Sequence, residues 1–138
     1  MEKNYQELVN NQIFFGGAAD AEAAIANENI DVVIDLRLAE PGEVNYTRIH
    51  VPIADEEAEI ASSIKHAVSE VMKEYNDGKK VFFHCGSGSG RAGTIATATL
   101  LELGQAKTVE EAEQKAKAIR QKVNVREPMR KALQQIYE

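Results

Sequence analysis

The residues best suited to chemistry lie in the run VFFHCGSGSGRAGT, from Val81 to Thr94. Cys85, the one cysteine of the sequence, follows an apolar stretch and His84, and five small residues separate it from Arg91. The residues after Arg91 have the alanine- and leucine-rich pattern of a helix. Cys85 is therefore predicted to lie on a glycine-rich loop between a strand and a helix.

Such a loop can bind a phosphate group and also activate a thiol. A thiol attacks as the thiolate, and the positive end of a helix dipole stabilises that anion. Successive N–H groups of a tight loop form a concave site for an oxyanion, and an arginine adds a planar fork that holds two oxygens. We assign substrate binding to the small residues and the arginine after them: Gly86, Ser87, Gly88, Ser89, Gly90 and Arg91.

Simpler interpretations of the same run exist. GSGSG alone is typical of a flexible linker, and a lone cysteine after a buried strand is usually an inert core residue. Here the glycines are bounded by a strong strand and a strong helix, and His84, Cys85 and Arg91 are placed together. We therefore favour a catalytic function.

At these residues the chain resembles the cysteine-based protein tyrosine phosphatases, whose loop reads H-C-x-x-G-x-x-R. His84, Cys85, Gly88 and Arg91 match this pattern position by position. The resemblance implies that Cys85 attacks phosphorus and becomes a phosphocysteine. It also implies that Arg91 binds the phosphate and its transition state, and that His84 helps to hold Cys85 as the thiolate.

One position departs from the family pattern. Ala92 follows Arg91, where the family usually has a Ser or Thr. In the family, the hydroxyl at this position stabilises the cysteine as leaving group when water hydrolyses the phosphoenzyme. Thr94, Ser87 and Ser89 are nearby hydroxyls that could substitute for it.

The proton donor for the leaving oxygen is predicted in the segment 49–55, IHVPIAD. Esters of poor leaving groups need such a donor. In the dual-specificity branch of the family, a similar hydrophobic-Pro-hydrophobic-x-Asp segment precedes the helix that leads to the cysteine strand, and Asp55 matches its aspartate. Glu56 and Glu57 compete for the role, and Asp55 also fits the N-cap of the following helix.

Strands and helices alternate along the chain. The predicted strands are residues 12–17, 31–37 and 81–83. The predicted helices are residues 20–26 with Asp20 as cap, residues 58–75, one that begins after Arg91, one that the capping box Thr108–Glu111 opens, and one that begins at Pro128. This order predicts a single α/β domain over residues 1–138, with a mainly parallel central sheet flanked by helices. The resemblance implies the same fold, that of a small dual-specificity phosphatase catalytic domain.

Several other polar residues receive no catalytic assignment and are treated as structural or ordinary: Asp35, Arg37, His50, His66, Gln134 and Gln135.

Composition narrows the partners. The chain has 16 Lys and Arg against 22 Asp and Glu, a net charge of −6, which disfavours nucleic acid and anionic membranes. No apolar run approaches the ~20 residues of a membrane span, and the start lacks the apolar core of a signal peptide. A working thiolate suits a reducing compartment, so we expect a cytoplasmic protein. The histidines and the cysteine show no metal-ligand spacing, so no metal or cofactor is expected.

The loop also bears on the substrate. Phosphoinositide enzymes of this type often carry lysines in the loop, whereas here the loop between Cys85 and Arg91 is uncharged. A single phosphate monoester is therefore favoured, on a phosphorylated protein or a small molecule. The short chain suggests a shallow pocket that admits phosphoserine and phosphothreonine as well as phosphotyrosine. The alternatives are a rhodanese-like sulfurtransferase, whose cysteine also lies on an anion-binding loop, and a non-catalytic phosphate-binding module.

Overall fold

The computed structural model describes residues 4–138. Its strands are β1 (Gln6–Val9), β2 (Ile13–Gly17), β3 (Val32–Asp35), β4 (Arg48–His50) and β5 (Val81–Cys85). Its helices are α1 (Ala21–Glu28), α2 (Glu57–Asn76), α3 (Arg91–Glu102), α4 (Val109–Ile119) and α5 (Glu127–Tyr137), and a short 3-10 turn, Ala18–Asp20, precedes α1. Within this described range, no helix combines the length and apolarity needed to cross a membrane.

The strands form one sheet in the order β1-β2-β5-β3-β4. β1 is antiparallel to β2, and all other neighbours are parallel. The predicted α/β fold with a mainly parallel sheet is thus confirmed. β1 was not predicted, because its four residues, Gln-Glu-Leu-Val, contain neither an apolar run nor an alternating pattern long enough to indicate a strand.

β5 is the central strand of the sheet, and Cys85 is its last residue, at the carboxyl end of the parallel strands. All five of its residues are buried, as expected of a parallel strand that is covered on both faces. Val81, Phe83 and Cys85 belong to the larger core beneath α2 to α5, whereas Phe82 belongs to the smaller core on the side of α1. Because side chains alternate along a strand, Cys85 and its neighbour His84 lie on opposite faces of the sheet.

The predicted helices are present, with one correction at a cap. α2 ends at Asn76, and Gly78, two residues later, has a φ of +81°, the left-handed conformation that follows many helices. The Thr108 hydroxyl accepts a hydrogen bond from the amide of Glu111 at 3.1 Å, as expected for a capping box of Thr followed three residues later by Glu. Asp20 occupies the N-cap of α1 without capping it, because its carboxylate instead accepts from the Gly17 amide at 2.9 Å.

Candidate active site

Cys85 lines a cavity of about 190 Å³ at the carboxyl end of β5. The residue is only 5% exposed. Its Sγ accepts a hydrogen bond from the backbone amide of Ala92, in the first turn of α3, at 3.4 Å. The sulfur therefore faces the end of the helix at which negative charge is stabilised. The other lining residues are Gly86, Ser87, Ser89, Gly90, Arg91, Arg126 and Met129.

Gly88 is not among the residues that line the cavity, but its conformation determines the shape of the loop. Its φ is +77°, and a Cβ at this position would lie 2.5 Å from the backbone carbon of Gly16. Glycine is therefore required there both by conformation and by space. The loop is also tied to the end of β2, because the Ala18 amide donates to the Gly86 carbonyl at 3.0 Å.

Arg91 and Asp55, predicted from distant segments, are brought together. The Arg91 guanidinium donates one hydrogen bond to the Asp55 carboxylate and another, from Nε, to the Ile53 carbonyl at 2.9 Å. Of the three neighbouring acidic side chains, Asp55 is the one that contacts Arg91 in the described chain. Glu56 is instead the N-cap residue of α2, and Glu57 begins that helix.

The segment that carries Asp55 is held on the end of the sheet. The Ile53 amide donates to the Leu36 carbonyl, just beyond β3, at 3.1 Å. The Ala54 amide donates to the Ser63 hydroxyl of α2 at 3.0 Å. Asp55 itself is exposed, so its carboxyl can meet a substrate that enters from solvent.

A comparison with family models decides the family. Residues 13–138 match the dual specificity phosphatase catalytic domain. The chain belongs to this family. It is a cysteine-dependent phosphatase that acts on phosphorylated substrates, and the match favours neither the sulfurtransferase nor the non-catalytic alternative. The resemblance inferred from the loop motif is confirmed.

Solved structures of dual specificity phosphatases have the same fold. DUSP15 superposes with a TM-score of 0.84 at 18% identity, covering 98% of this chain and 88% of that chain. Human DUSP28 gives 0.78 at 17%, with 99% and 95% covered. PTPMT1, solved in complex with PI(5)P, gives 0.77 at 17%, with 97% and 94% covered. A search of curated proteins finds no match.

His84 of this phosphatase contacts the cysteine through the backbone. Its side chain is buried beside Phe82, and its Nδ1 donates to the Cys85 carbonyl at 3.0 Å. Burial lowers the pKa of His84 below its usual range, although the Cys85 carbonyl and the charge of Asp35 oppose this shift. The lowered pKa favours the neutral form of the imidazole, which lies on the opposite face of β5 from the sulfur and contacts the cysteine through its carbonyl.

Asp35 and Arg37 form a structural pair at the end of β3, as predicted. Arg37 donates from Nη2 to the fully buried Asp35 carboxylate at 2.8 Å. Burial alone would raise the pKa of Asp35, but the hydrogen bonds from Arg37 outweigh it and the net pKa is lowered. His50 adds a contact from its Nε2 to the Arg37 carbonyl at 2.6 Å.

The hydroxyls near Ala92 are engaged elsewhere. The Thr94 hydroxyl donates to the Gly90 carbonyl at 2.8 Å. The Ser87 and Ser89 hydroxyls are hydrogen bonded to each other at 2.8 Å. Within residues 4–138, none of these three hydroxyls is hydrogen bonded to the cysteine sulfur, so none takes the place of the missing family hydroxyl.

Arg120, which no sequence pattern had indicated, supports the loop that carries Ser87 and Gly88. This arginine is only 4% exposed. Its guanidinium donates to the carbonyls of Gly88 at 3.0 Å and Ser87 at 2.9 Å, and to the Asn4 carbonyl at 2.6 Å. Burial lowers its pKa, which the nearby charges of Asp20 and Cys85 oppose. No local pattern distinguishes Arg120, because its partners lie 32 residues or more away along the chain.

Arg126 was also missed. It lies immediately before α5 and lines the cavity together with Met129 of that helix. The Pro128 signal correctly placed the start of this helix, but it gave no indication that the helix approaches Cys85.

Proposed function

We propose that this phosphatase hydrolyses phosphate monoesters through a phosphocysteine intermediate on Cys85. One observation carries the proposal: the Cys85 sulfur receives the Ala92 amide at 3.4 Å, inside a cavity that Arg91 also lines. A nucleophile and an oxyanion-binding group thus share one small site. A thiolate at a helix N-terminus is the form of cysteine that attacks phosphorus.

In the first half-reaction, the Cys85 thiolate attacks phosphorus and the ester P–O bond breaks. The phosphate oxygens are bound by the loop amides and by the fork of Arg91, which stabilise the charge of the transition state. Asp55, in its protonated form, delivers a proton to the leaving oxygen. The products are an alcohol or phenol and a phosphocysteine.

In the second half-reaction, water attacks the phosphocysteine. Asp55, now a carboxylate, takes a proton from that water, and the P–S bond breaks. Inorganic phosphate leaves and the thiolate is restored. Because Ala92 offers no hydroxyl to the departing sulfur, we expect this half-reaction to limit turnover.

The substrates that we propose are phosphotyrosine, and also phosphoserine and phosphothreonine. The cavity of about 190 Å³ is lined by the small residues of the loop on one part and by Arg91, Arg126 and Met129 on the rest. A volume of this size supports access for each of these esters. Because catalysis needs Cys85 as a free thiolate, we propose a reducing, cytoplasmic setting, with residues 1–138 acting as one catalytic domain.

Phosphoenzyme trapping tests this proposal. The protein is mixed with ³²P-labelled aryl phosphate, quenched in denaturant, and the label on the chain is counted. We expect label on the wild type and none on Cys85→Ser, which should still bind inorganic phosphate. Ser87→Ala is the matched control in the same loop, and it should be labelled. Turnover by the wild type without label, or activity retained in Cys85→Ser, would contradict the mechanism.

A further inference from the structure

The cavity of Cys85 contains a second arginine that the catalytic steps do not use. The loop between Cys85 and Arg91 is uncharged, so Arg91 and Arg126 are the charged residues among those that line the cavity. Arg126 comes from the segment before α5 and therefore approaches from outside the loop.

The backbone beside Arg126 is fixed to the loop. The Asn124 amide donates to the Ser89 carbonyl at 3.0 Å. A Cβ built on Gly90 would lie 3.9 Å from Arg126 Nε, which is van der Waals distance, so the guanidinium lies against the loop. The backbone hydrogen bond thus holds the segment of Arg126 beside the loop in which we propose that the phosphate binds.

The guanidinium of Arg126 is available to a ligand. Within residues 4–138 it has no ion pair and no hydrogen bond, and the residue is exposed. Arg91 is by contrast paired with Asp55. The acidic neighbour of Arg126, Glu127, pairs instead with Arg130 at 2.7 Å.

We propose that Arg126 is a specificity-determining residue that binds a second anionic group on the substrate, a phosphate or a carboxylate close to the scissile monoester. This inference rests on the proposed function and extends it, since the loop alone predicts a single phosphate. An arginine fork matches both anions with two parallel hydrogen bonds. The net charge of −6 repels anions from the chain as a whole. An unpaired arginine at the cavity provides a local positive potential there, which favours anionic substrates.

The test compares esters that differ in one charge. The substrates are 3-carboxyphenyl phosphate and its neutral near-isostere 3-carbamoylphenyl phosphate, with benzene-1,3-diyl bisphosphate as the phosphate arm. The proteins are the wild type, Arg126→Ala, Arg126→Lys and Lys131→Ala. Lys131 is exposed on α5 outside the cavity lining, so its variant removes the same charge as a control.

We expect the wild type to prefer the charged esters in kcat/KM. Arg126→Ala should reduce that preference by about tenfold, the scale of one charge-assisted contact, while leaving the carbamoyl ester nearly unaffected. Arg126→Lys should retain part of the preference, and Lys131→Ala all of it. The better of the two charged esters then identifies the second group as phosphate or carboxylate.

An equal loss on all esters would overturn the proposal, because it would assign Arg126 to the scissile phosphate itself. A preference that survives in Arg126→Ala would overturn it as well. If the wild type turned over no ester, the proposed function would fail separately. The ratio of binding constants for the charged and carbamoyl esters, measured by calorimetry on Cys85→Ser with and without Arg126→Ala, then decides the inference.

Discussion

The guanidinium of Arg91 donates a hydrogen bond to the carboxylate of Asp55, so the group that we propose binds the phosphate is paired with the group that we propose donates the proton. Arg91 is further held by the Ile53 carbonyl, two residues before Asp55, at 2.9 Å. An entering phosphate must therefore compete with Asp55 for this arginine. In the proposed mechanism, the Asp55 carboxyl that the phosphate displaces is then close to the leaving oxygen that it protonates.

The first prediction concerns Asp55→Asn. We expect kcat for phenyl phosphate to fall by about 10²-fold, the usual contribution of a general acid, and kcat for p-nitrophenyl phosphate to fall far less. Inorganic phosphate should inhibit the variant more strongly, because the anionic competitor for Arg91 is gone. Steady-state kinetics on both esters measures this. Glu57→Gln is the matched control, and equal losses on the two esters would remove Asp55 from the acid role.

The second prediction separates two glycines of the loop. Gly88→Ala should abolish activity and lower the melting temperature, because its φ of +77° is unfavourable for alanine and the added Cβ would lie 2.5 Å from Gly16. Gly86→Ala should remain folded and bind phosphate, because nothing lies within 4 Å of a Cβ there. Thermal melts and phosphate inhibition are the measurements. Similar behaviour of the two variants would show that the loop's shape does not depend on Gly88.

The groups that sequence could predict are those with local signals. Cys85 and Arg91 belong to one short loop whose flanking strand and helix have distinct periodicities. Asp55 was predicted as the proton donor from a second short motif, with Glu56 and Glu57 as alternatives, and of these three Asp55 is the one that contacts Arg91.

The groups that sequence missed act through tertiary packing. Arg120 and Arg126 reach the loop because α4 and α5 pack beside it, and neither has a sequence neighbour that indicates this. Asp20 occupies the predicted N-cap position of α1, but its side chain does not cap that helix, for a similar reason. Its carboxylate had a nearer donor, the Gly17 amide, in the tight connection after β2.

The third prediction concerns Arg120 as a positioning residue. The Arg120 guanidinium donates to the Gly88 carbonyl at 3.0 Å and to the Ser87 carbonyl at 2.9 Å. Arg120→Lys keeps the charge, but the compact ammonium lacks the planar fork that donates to both carbonyls at once. Leaving one buried carbonyl unsatisfied costs about 1–3 kcal/mol of stability. We expect weaker phosphate inhibition and a lower kcat, with the pH profile of kcat unchanged in shape. Lys122→Met, at an exposed neighbour, is the control, and wild-type phosphate affinity in Arg120→Lys would contradict this role.

The fourth prediction is a pH dependence of stability from His84. Burial lowers the folded-state pKa of His84, so the unfolded chain binds the proton more readily as pH falls below about 6.5. The free energy of unfolding should therefore decrease through that range, by at most about 1.4 kcal/mol per pH unit from this one group. The decrease ends once the folded histidine is protonated too.

Denaturant unfolding at a series of pH values measures this slope. In His84→Asn, whose amide can replace the Nδ1 donor to the Cys85 carbonyl, the slope between pH 7.5 and 5.5 should be shallower than in the wild type. His66→Asn is the control, since His66 is exposed on α2 and its loss should leave the slope unchanged. An unaltered slope in His84→Asn would assign the dependence to other groups.

The last prediction concerns the hydroxyl that Ala92 lacks. Its amide already donates to the Cys85 sulfur at 3.4 Å, so a hydroxyl on this residue starts beside the leaving group. Ala92→Ser should accelerate dephosphorylation by about tenfold, the effect of one hydrogen bond to a charged group, without changing the rate of phosphocysteine formation. Rapid-mixing kinetics with p-nitrophenyl phosphate should show a burst in the wild type and a smaller one in the variant.

Thr94→Val is the control, because the Thr94 hydroxyl is bound to the Gly90 carbonyl, and it should leave the second step unchanged. An unchanged or slower second step in Ala92→Ser would mean that the site releases its sulfur by other means.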